Sequence, residues 1–400
     1  MKVLILSCGT GEGHNSAARA LAETFLKRGV ACEVRDTLSF KSDKAALRAS
    51  KVYSTVIKKT PALFGIAYLL GWLYDKIRLP SPIYRANAAY AEALYKYIVE
   101  NGFDCVICAH LFAMEAVTAV RKKYACSFAA YGVLTDYTAI PFYKDARLDG
   151  WFVANAASAK KLIKEGVSPK TVYVSGIPVG ENFCLGITKE QARSALNIPV
   201  DKKVIAVMSG GAGCGKILKL CKKLYKKTEE GCQINVFTGK NQKLKTRLEK
   251  TFSNCGRVRV YGFTSDMYLH FKASDVVLTK PGGLSSTEAA VTGAPIIHLK
   301  PIPGCETANA KFFAKNGLSV KTVTVGGAVK AALKVVYYGG LPTDMPRLSI
   351  KINSGAASAV ADIVAESNAY ERFIMDNIYC GGISCGQRDV LQFCAESDNA

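Results

Sequence analysis

Three glycine-rich turns in this sequence carry the residue types that hold phosphate groups. The most specific lies in "TKPGGLSSTEAAVTG", where Pro281, Gly282 and Gly283 follow an apolar run and a helix is predicted to begin near Ser285. The first backbone N–H groups of a helix have no partner within it and lie at the positive end of its dipole. We therefore expect an anion site at this helix start. Glu288, predicted on the first turn, either caps the helix or accepts hydrogen bonds from two vicinal hydroxyls, such as those of a ribose.

The first glycine-rich turn, "SCGTGEGHNSAA", contains Gly9, Gly11, Gly13 and then His14. The last glycine of a G-x-G-x-x-G dinucleotide motif would fall at position 14, so an NAD site is disfavoured, although Asp36 ends the next strand where a ribose-binding acid could lie. A neutral imidazole suits proton removal from a hydroxyl near pH 7, and a helix N-terminus favours that neutral form. His14 is therefore a candidate base, with capping of its own helix as the structural alternative.

The second turn, "GGAGCGK" at residues 210–216, matches the G-x-x-x-x-G-K pattern of ATP-binding loops. Ile217 follows it, where such a loop needs Ser or Thr to hold magnesium, so no ATPase is predicted. Its backbone N–H groups could still face a diphosphate. The third turn has no Asp-x-Asp pair beside it, and we expect neither a metal ion nor a cofactor.

Composition describes a globular chain with a large positive charge. Its 400 residues predict two domains, 49% of them are hydrophobic, and 53 basic against 32 acidic residues give a net charge of +21. That excess attracts polyanions or an anionic bilayer. The start, "MKVLIL", predicts a first strand and not a signal peptide, so we expect a cytoplasmic protein. The 14 cysteines are scattered, and Cys105 and Cys108 should point to opposite faces of a strand as reduced, buried thiols.

Strand-like and helix-like segments alternate along the chain, which predicts α/β domains with parallel sheets covered by helices. The eleven strand-like segments are "KVLILS", "ACEVRDT", "DCVICA", "SFAAYGVLT", "GWFVAN", "TVYVSG", "KKVIAVMSG", "CQINVFTG", "RVRVYG", "SDVVLTK" and "APIIHLK". "KVLILSCGTGEG" and "KKVIAVMSGGAGCGK" each predict a strand, a glycine-rich turn and a helix, so each should begin a Rossmann-like, doubly wound domain. We predict an N-terminal domain at 1–180, a C-terminal domain at 181–365 and a tail at 366–400. Ligands bind at the carboxyl ends of such strands, so both turns should line a cleft between facing domains.

The segment from Lys41 to Arg85 interrupts this alternation. Its apolar core, Ala62 to Tyr74, is too short to span a bilayer. Aromatic residues beside lysines and arginines are typical of a segment that lies in the membrane interface, and a helical pair packed on the first sheet is the equally weighted alternative.

Longer motifs give the sequence a specific resemblance. The pattern K-P-G-G-x-(S/T)-x-x-E-A, followed by P-x-P-G-x-E-x-x-N-A-x-F-F, resembles the nucleotide-sugar half of the GT-B glycosyltransferases that include the peptidoglycan N-acetylglucosaminyltransferase. "GEGHNSAA", "YSTVIKKTPALFGIAY", "LTDY" and "SGIPV" are similar to the bacterial diacylglycerol glucosyltransferases and plant monogalactosyldiacylglycerol synthases. The resemblance covers about residues 1 to 365.

The resemblance implies a role for each matching residue. Glu288 would bind the uridine ribose, and His14 would be the base on the acceptor side. The remaining implied positions are Gly282, Gly283, Ser285 and Ser286 for the diphosphate, Gly262 and Phe263 for uracil, Glu306 and Asn309 for the sugar, and Gly11, Gly13, Asp136 and Tyr137 on the acceptor side. The sequence departs from the family at Cys305, which replaces a Gln, and at Ile140 and Tyr143, which replace a His and a Trp. We therefore expect the acceptor side to have diverged more than the donor side.

Taken together, these features predict a metal-independent, inverting transfer of glucose or galactose from a UDP-sugar to the free hydroxyl of diacylglycerol. The enzyme would be peripheral on the cytoplasmic face of the membrane, held at an anionic lipid surface. One alternative is transfer of N-acetylglucosamine to a polyprenyl-linked acceptor. A nucleic-acid-binding protein is the rival suggested by the charge, but the lysines between Lys216 and Lys250 fit solvated helix surfaces, so no nucleic acid is expected as a partner.

Overall fold

Two parallel sheets of six strands each organise the chain. The computed structural model describes residues 1–75, 82–210, 216–339 and 355–379, so most of the second glycine-rich turn, together with Cys380 and Cys385, lies outside the described residues. The strands are β1 (Lys2–Ser7), β2 (Ala31–Asp36), β3 (Cys105–Cys108), β4 (Ala129–Val133), β5 (Gly150–Val153), β6 (Val172–Val174), β7 (Lys203–Met208), β8 (Cys232–Phe237), β9 (Val258–Tyr261), β10 (Val276–Thr279), β11 (Ile296–His298) and β12 (Val320–Lys321).

The strand orders confirm two doubly wound domains. The first sheet has the order β2-β1-β3-β4-β5-β6 and the second β12-β11-β10-β7-β8-β9, with parallel pairing throughout. The second order is that of a Rossmann fold, whereas the first places β1 between β2 and β3 in the flavodoxin manner. The first glycine-rich turn follows β1, and Gly210, which begins the second, follows β7, so both turns begin at the carboxyl end of a strand.

Fifteen helices of the described chain cover these sheets. They are α1 (Glu12–Lys27), α2 (Asp43–Lys59), α3 (Pro61–Asp75), α4 (Pro82–Ala88), α5 (Ala91–Glu100), α6 (Leu111–Lys123), α7 (Ala156–Lys164), α8 (Lys189–Ala195), α9 (Ile217–Lys227), α10 (Gln242–Thr251), α11 (Met267–Ala273), α12 (Gly283–Val291), α13 (Cys305–Lys315), α14 (Val325–Tyr338) and α15 (Ala356–Tyr379). Helices α9 and α10 bury apolar faces, including Leu220, Leu224 and Leu248, and their lysines lie on the solvated side.

The predicted second domain boundary, at 365, differs from the packing. Ala357, Val360 and Val364 of α15 belong to the same buried cluster as Val3 and Phe25 of the first domain. The helix returns to α1 because its apolar face completes that core. Residues 357–364 therefore pack with the first domain, whereas the predicted boundary places them in the second.

Another buried cluster joins the two domains. It contains Ala17 and Tyr137 from the first domain with Leu284 and Phe313 from the second. An ion pair between Glu12 and Lys240, with 2.8 Å between Oε2 and Nζ, crosses the same boundary. The domains are thus held together by a continuous apolar contact beside the cleft.

The helical pair α2 and α3 forms within the segment that interrupts the alternation. One face of α3 packs on both domains, because Gly71 lies against Pro141 and Phe142, and Gly65 lies against Pro303 of the second domain. The ammonium of Lys161 lies 3.9 Å from the ring centroid of Trp72. The opposite face leaves four apolar side chains 51–60% exposed: Ile66, Leu69, Leu70 and Leu73. No helix of the described residues is long and apolar enough to cross a bilayer.

Candidate active site

A cavity of about 800 Å³ opens between the two domains, at the carboxyl ends of both sheets. Most of the predicted site residues line it: Gly11, Gly13, His14, Asp136, Gly262, Phe263, Gly282, Gly283, Ser285, Glu288 and Glu306. Three predicted residues do not, namely Tyr137, Ser286 and Asn309. Gly210, Ile140, Tyr143 and Cys305 also lie in its wall. Predicted site residues from both domains therefore meet at one cavity.

His14 lies in the first turn of α1, with its imidazole held by two neighbouring strand ends. Nδ1 is 2.9 Å from the carbonyl oxygen of Ala109 and 2.8 Å from Oγ1 of Thr135. A carbonyl oxygen only accepts, so Nδ1 carries the proton and Nε2 keeps its lone pair. The helix is preceded by Gly11 and has no side-chain cap, so the alternative that His14 caps its own helix does not hold.

The electrostatic surroundings keep His14 neutral. Burial lowers the pKa of its imidazole to about 4, and the hydrogen bond to Ala109 opposes this only in part. Desolvation, which penalises the charged form, is thus the main cause. This low pKa leaves the imidazole unprotonated at neutral pH, and the fixed tautomer makes Nε2 the nitrogen with the available lone pair.

His110 is a second cavity histidine that sequence reasoning missed. Its Nδ1 accepts a hydrogen bond from the backbone N–H of Phe112 at 3.1 Å, so Nε2 carries the proton and donates to Oγ1 of Thr10 at 3.0 Å. Its ring meets that of His14 edge to face, with 4.6 Å between centroids. Burial and the neighbouring His14 hold the pKa of His110 well below its usual range. Its position two residues after the end of β3 is the sequence feature that could have identified His110 as a site residue.

Helix α12, at the predicted anion site, begins two residues earlier than predicted. The helix starts at Gly283, after Gly282, and its first turn contains no acidic residue. Glu288 therefore lies in the second turn and not in the first as predicted, and the alternative that it caps this helix does not hold. Glu288 and Ser285 are three residues apart and both face the cavity, as the helical period requires. Burial raises the pKa of Glu288 to about 8, with Arg19 opposing the shift.

Ser286 and Asn309 point away from the cavity. Ser286 is fully buried, and its hydroxyl lies 3.0 Å from Nε2 of His298. The side-chain amide of Asn309, also fully buried, bonds to Asp136, Tyr137 and the Pro281 carbonyl. Neither residue is among those that line the cavity.

Two acidic side chains remain in the cavity wall near the start of α12. Burial raises the pKa of Asp136 to about 6, while hydrogen bonds from Asn309, Cys305 and the Gly283 backbone lower it. Glu306 accepts a 2.7 Å hydrogen bond from the backbone N–H of Ile302 and lies 3.5 Å from Nζ of Lys280. Both carboxyls are therefore anchored before any ligand binds.

Asp36, the acidic residue that an NAD site would use, already accepts hydrogen bonds from the backbone. Asp36 accepts 2.8 Å hydrogen bonds from the backbone N–H groups of Gly9 and Leu38, so its carboxylate holds the glycine-rich turn. Cys105 and Cys108 are buried free thiols in separate clusters on opposite faces of β3, as predicted. Among the described residues, no group of three His, Cys, Asp or Glu side chains could hold a metal ion.

The fold is that of the GT-B class, with two Rossmann-like domains that face a cleft. Residues 14–179 match the model of the monogalactosyldiacylglycerol synthase family, and residues 204–323 match the glycosyltransferase family 28 C-terminal domain. A processive diacylglycerol beta-glucosyltransferase of Bacillus mycoides is 30% identical over 325 residues, which cover 80% of this chain and 81% of that protein. The chain belongs to this family of UDP-sugar glycosyltransferases, which confirms the predicted resemblance.

Solved structures support the fold alone. MurG of Acinetobacter baumannii superposes with a TM-score of 0.53 at 15% identity, covering 91% of this chain and 99% of MurG. The UDP-GlcNAc 2-epimerase of Neisseria meningitidis, bound to UDP-GlcNAc, gives a TM-score of 0.58 at 15% identity, covering 92% of this chain and all of that one. Both agree with the predicted fold class.

Proposed function

We propose that the protein transfers a hexose, glucose or galactose, from a UDP-sugar to the free hydroxyl of 1,2-diacylglycerol with inversion. The observation that carries this proposal is that His14 of the first domain and the start of α12 of the second domain line the same cavity. The Bacillus relatives, which are named for glucosyl transfer to diacylglycerol, support the acceptor.

The cavity residues of the two domains have different roles in the proposed reaction. Nε2 of His14 removes the proton of the lipid hydroxyl, whose oxygen attacks the anomeric carbon of the sugar. The bond from that carbon to the diphosphate breaks, and UDP leaves toward the start of α12, where the positive end of the helix dipole stabilises its charge. The base belongs to the first domain and the leaving-group site to the second, so the proposal has the hydroxyl attack the face of the sugar away from the diphosphate, which inverts the anomeric centre. The chain supplies these groups without a resident cofactor.

Glu288 and Glu306 are proposed to orient the donor. A carboxylate can accept two hydrogen bonds at once, so Glu288 suits the vicinal hydroxyls of the ribose. Glu306, anchored by the Ile302 backbone, suits hydroxyls of the hexose. Gly262 and the 65% exposed Phe263 offer a face for the uracil.

The outer face of α3 suits a lipid surface. Ile66, Leu69, Leu70 and Leu73 follow the i, i+3, i+4, i+7 spacing of one helical face, and all four are exposed beside the cleft. The chain's charge of +21 favours an anionic bilayer. We therefore place the enzyme as a peripheral protein on the cytoplasmic face of the membrane, where a lipid acceptor could reach the cavity.

Transfer is tested with labelled UDP-glucose, UDP-galactose and UDP-N-acetylglucosamine on vesicles that contain diacylglycerol or a polyprenyl-linked sugar. Labelled diacylglycerol glycoside is expected, and label in polyprenyl products alone would favour the alternative acceptor. His14→Ala should lower turnover by about 10²- to 10⁴-fold while UDP binding persists. His270→Asn is the matched control, because burial also lowers the pKa of His270, to about 4, but this residue lies outside the cavity wall. Near-normal turnover of His14→Ala would contradict the base assignment.

Membrane binding is tested by cosedimentation with vesicles of neutral or anionic lipid. Leu69→Ser with Leu70→Ser should weaken binding, because two exposed leucines no longer enter the interface. Val200→Ser with Val323→Ser is the control, since these valines are 62% and 63% exposed in the second domain. Equal binding by both double variants would contradict the role of α3.

A further inference from the structure

Asn309 occupies a contact between the two domains in which every hydrogen bond of its amide has a defined direction. Its Oδ1 accepts from the backbone N–H of Tyr137 at 2.8 Å. Its Nδ2 donates to Oδ1 of Asp136 at 2.7 Å and to the carbonyl oxygen of Pro281 at 3.0 Å. A backbone N–H only donates, and carboxylate and carbonyl oxygens only accept, so one amide orientation satisfies all three partners.

Tyr137 strengthens the same contact. Its ring stacks on Phe312 at a centroid distance of 4.5 Å and meets Phe313 edge to face at 5.0 Å. Thr287 donates its own proton to the Gly283 carbonyl, so the 2.7 Å bond between the two hydroxyls runs from Tyr137 to Thr287. We call Asp136, Tyr137, Thr287 and Asn309 the Asn309 interface.

The segment that enters this interface also touches both working parts of the cavity. Thr135, one residue before Asp136, places Oγ1 2.8 Å from Nδ1 of His14. Asp136 accepts a hydrogen bond from the backbone N–H of Gly283, the first residue of α12. A shift of this segment would therefore move the imidazole relative to the helix start.

We infer that Asn309 is a positioning residue that fixes the relative orientation of the two domains, and with it the alignment of His14 and the start of α12. The family resemblance instead implies a contact between Asn309 and the donor sugar, but its amide already has both N–H groups bonded to protein. The effect on transfer rests on the proposed function, whereas the effect on domain orientation does not.

Asn309→Asp is the sharpest perturbation, because it keeps the shape and removes both donated protons. A carboxylate at 309 would face the Asp136 carboxylate and the Pro281 carbonyl, which repel it. Small-angle X-ray scattering should then give a larger radius of gyration than wild type near pH 8. Acidification should reverse the increase, because one protonated carboxyl restores a donor. The other titratable groups that face Asp136 are Glu306, Cys305, Tyr68 and Tyr143.

Kinetic measurements distinguish a positioning role of Asn309 from a direct contact between Asn309 and the donor sugar. Asn309→Asp should lower kcat by about tenfold or more. It should change UDP affinity less than about twofold, since the groups proposed to bind UDP lie in the second domain. Combining Asp136→Asn with Asn309→Asp exchanges the hydrogen-bond donor and acceptor between the two positions. This double variant should return the radius of gyration toward the wild-type value. Asn316→Asp, on an exposed residue just after α13, is the control for the added charge.

An unchanged radius of gyration for folded Asn309→Asp at every pH, with a raised KM for the donor and normal kcat, would overturn the inference in favour of the sugar contact. If that variant does not fold, Tyr137→Phe tests the same interface by removing only the bond to Thr287. It should enlarge the radius or lower kcat with UDP affinity preserved, and wild-type values of both would also overturn the inference. If wild type transfers no sugar at all, the proposed function fails, and the scattering results still decide the domain contact.

Discussion

The pH dependence of UDP binding follows from the raised pKa of Glu288. Burial raises that pKa to about 8 in the free protein, so at pH 7 only about one carboxyl in ten is ionised. If Glu288 accepts hydrogen bonds from both ribose hydroxyls, UDP selects the ionised form. The apparent dissociation constant is then the intrinsic one divided by the ionised fraction, about tenfold weaker at pH 7 than at pH 9.

Isothermal titration of UDP between about pH 7 and pH 9 measures this effect. The terminal phosphate of UDP is largely ionised in this range, because its second pKa is about 6. Affinity should rise with pH and level off above about pH 8. Binding at pH 7 should release close to one proton, visible as a dependence of the apparent enthalpy on the buffer.

Glu288→Gln provides the control, because an amide of the same shape cannot ionise. Its UDP affinity should be weak and independent of pH over the same range. A wild-type affinity that does not change between pH 7 and pH 9, or a Gln variant that keeps the slope, would refute the reasoning. The first result would show that the ionised Glu288 carboxylate does not bind the ribose. The second would show that another group releases the proton when UDP binds.

Three further predictions concern neighbouring residues. Gly283→Ala should lower the melting temperature or open the cleft, because a Cβ there would overlap the carbonyl oxygen of Thr135, whereas Gly282→Ala should be tolerated since nothing lies within 4 Å of its Cβ position. Thr135→Val should lower kcat by less than about tenfold without changing UDP affinity, because His14 keeps its bond to a backbone carbonyl. Glu288→Gln should raise the melting temperature near pH 9 and not near pH 4: the raised pKa means that the folded free protein loses stability as pH rises from 4.5 to about 8.

Much of the fold follows from local patterns in the chain. Eleven of the twelve strands coincide with apolar runs that the alternation predicted, and the two repeated openings correctly predicted two domains. The exception, β12, has only two residues, too few for a recognisable pattern. The return of α15 to the first domain could not be predicted, since an apolar helical face does not say which core it completes.

The site was predictable where a residue follows a strand end or a glycine-rich turn. Gly282 and His14 were found in this way, and His110 after β3 could have been found by the same rule. The directions of Ser286 and Asn309 could not be derived from the motif, because a motif fixes positions along the chain and not the face of the helix that meets the ligand. Ser285 and Glu288 share the cavity face, and the intervening Ser286 is turned toward His298.

Acidic side chains can line a diphosphate site only if their charge is suppressed or paired. Burial raises the pKa of Glu288 to about 8 and that of Asp136 to about 6, so the free cavity carries less negative charge than its composition suggests. Glu306 is held near Lys280, and its carboxylate bonds to a backbone N–H. The same burial lowers the pKa of His14 to about 4 and leaves it a neutral base. Desolvation by burial thus accounts both for the reduced negative charge of the cavity wall and for the unprotonated imidazole of His14.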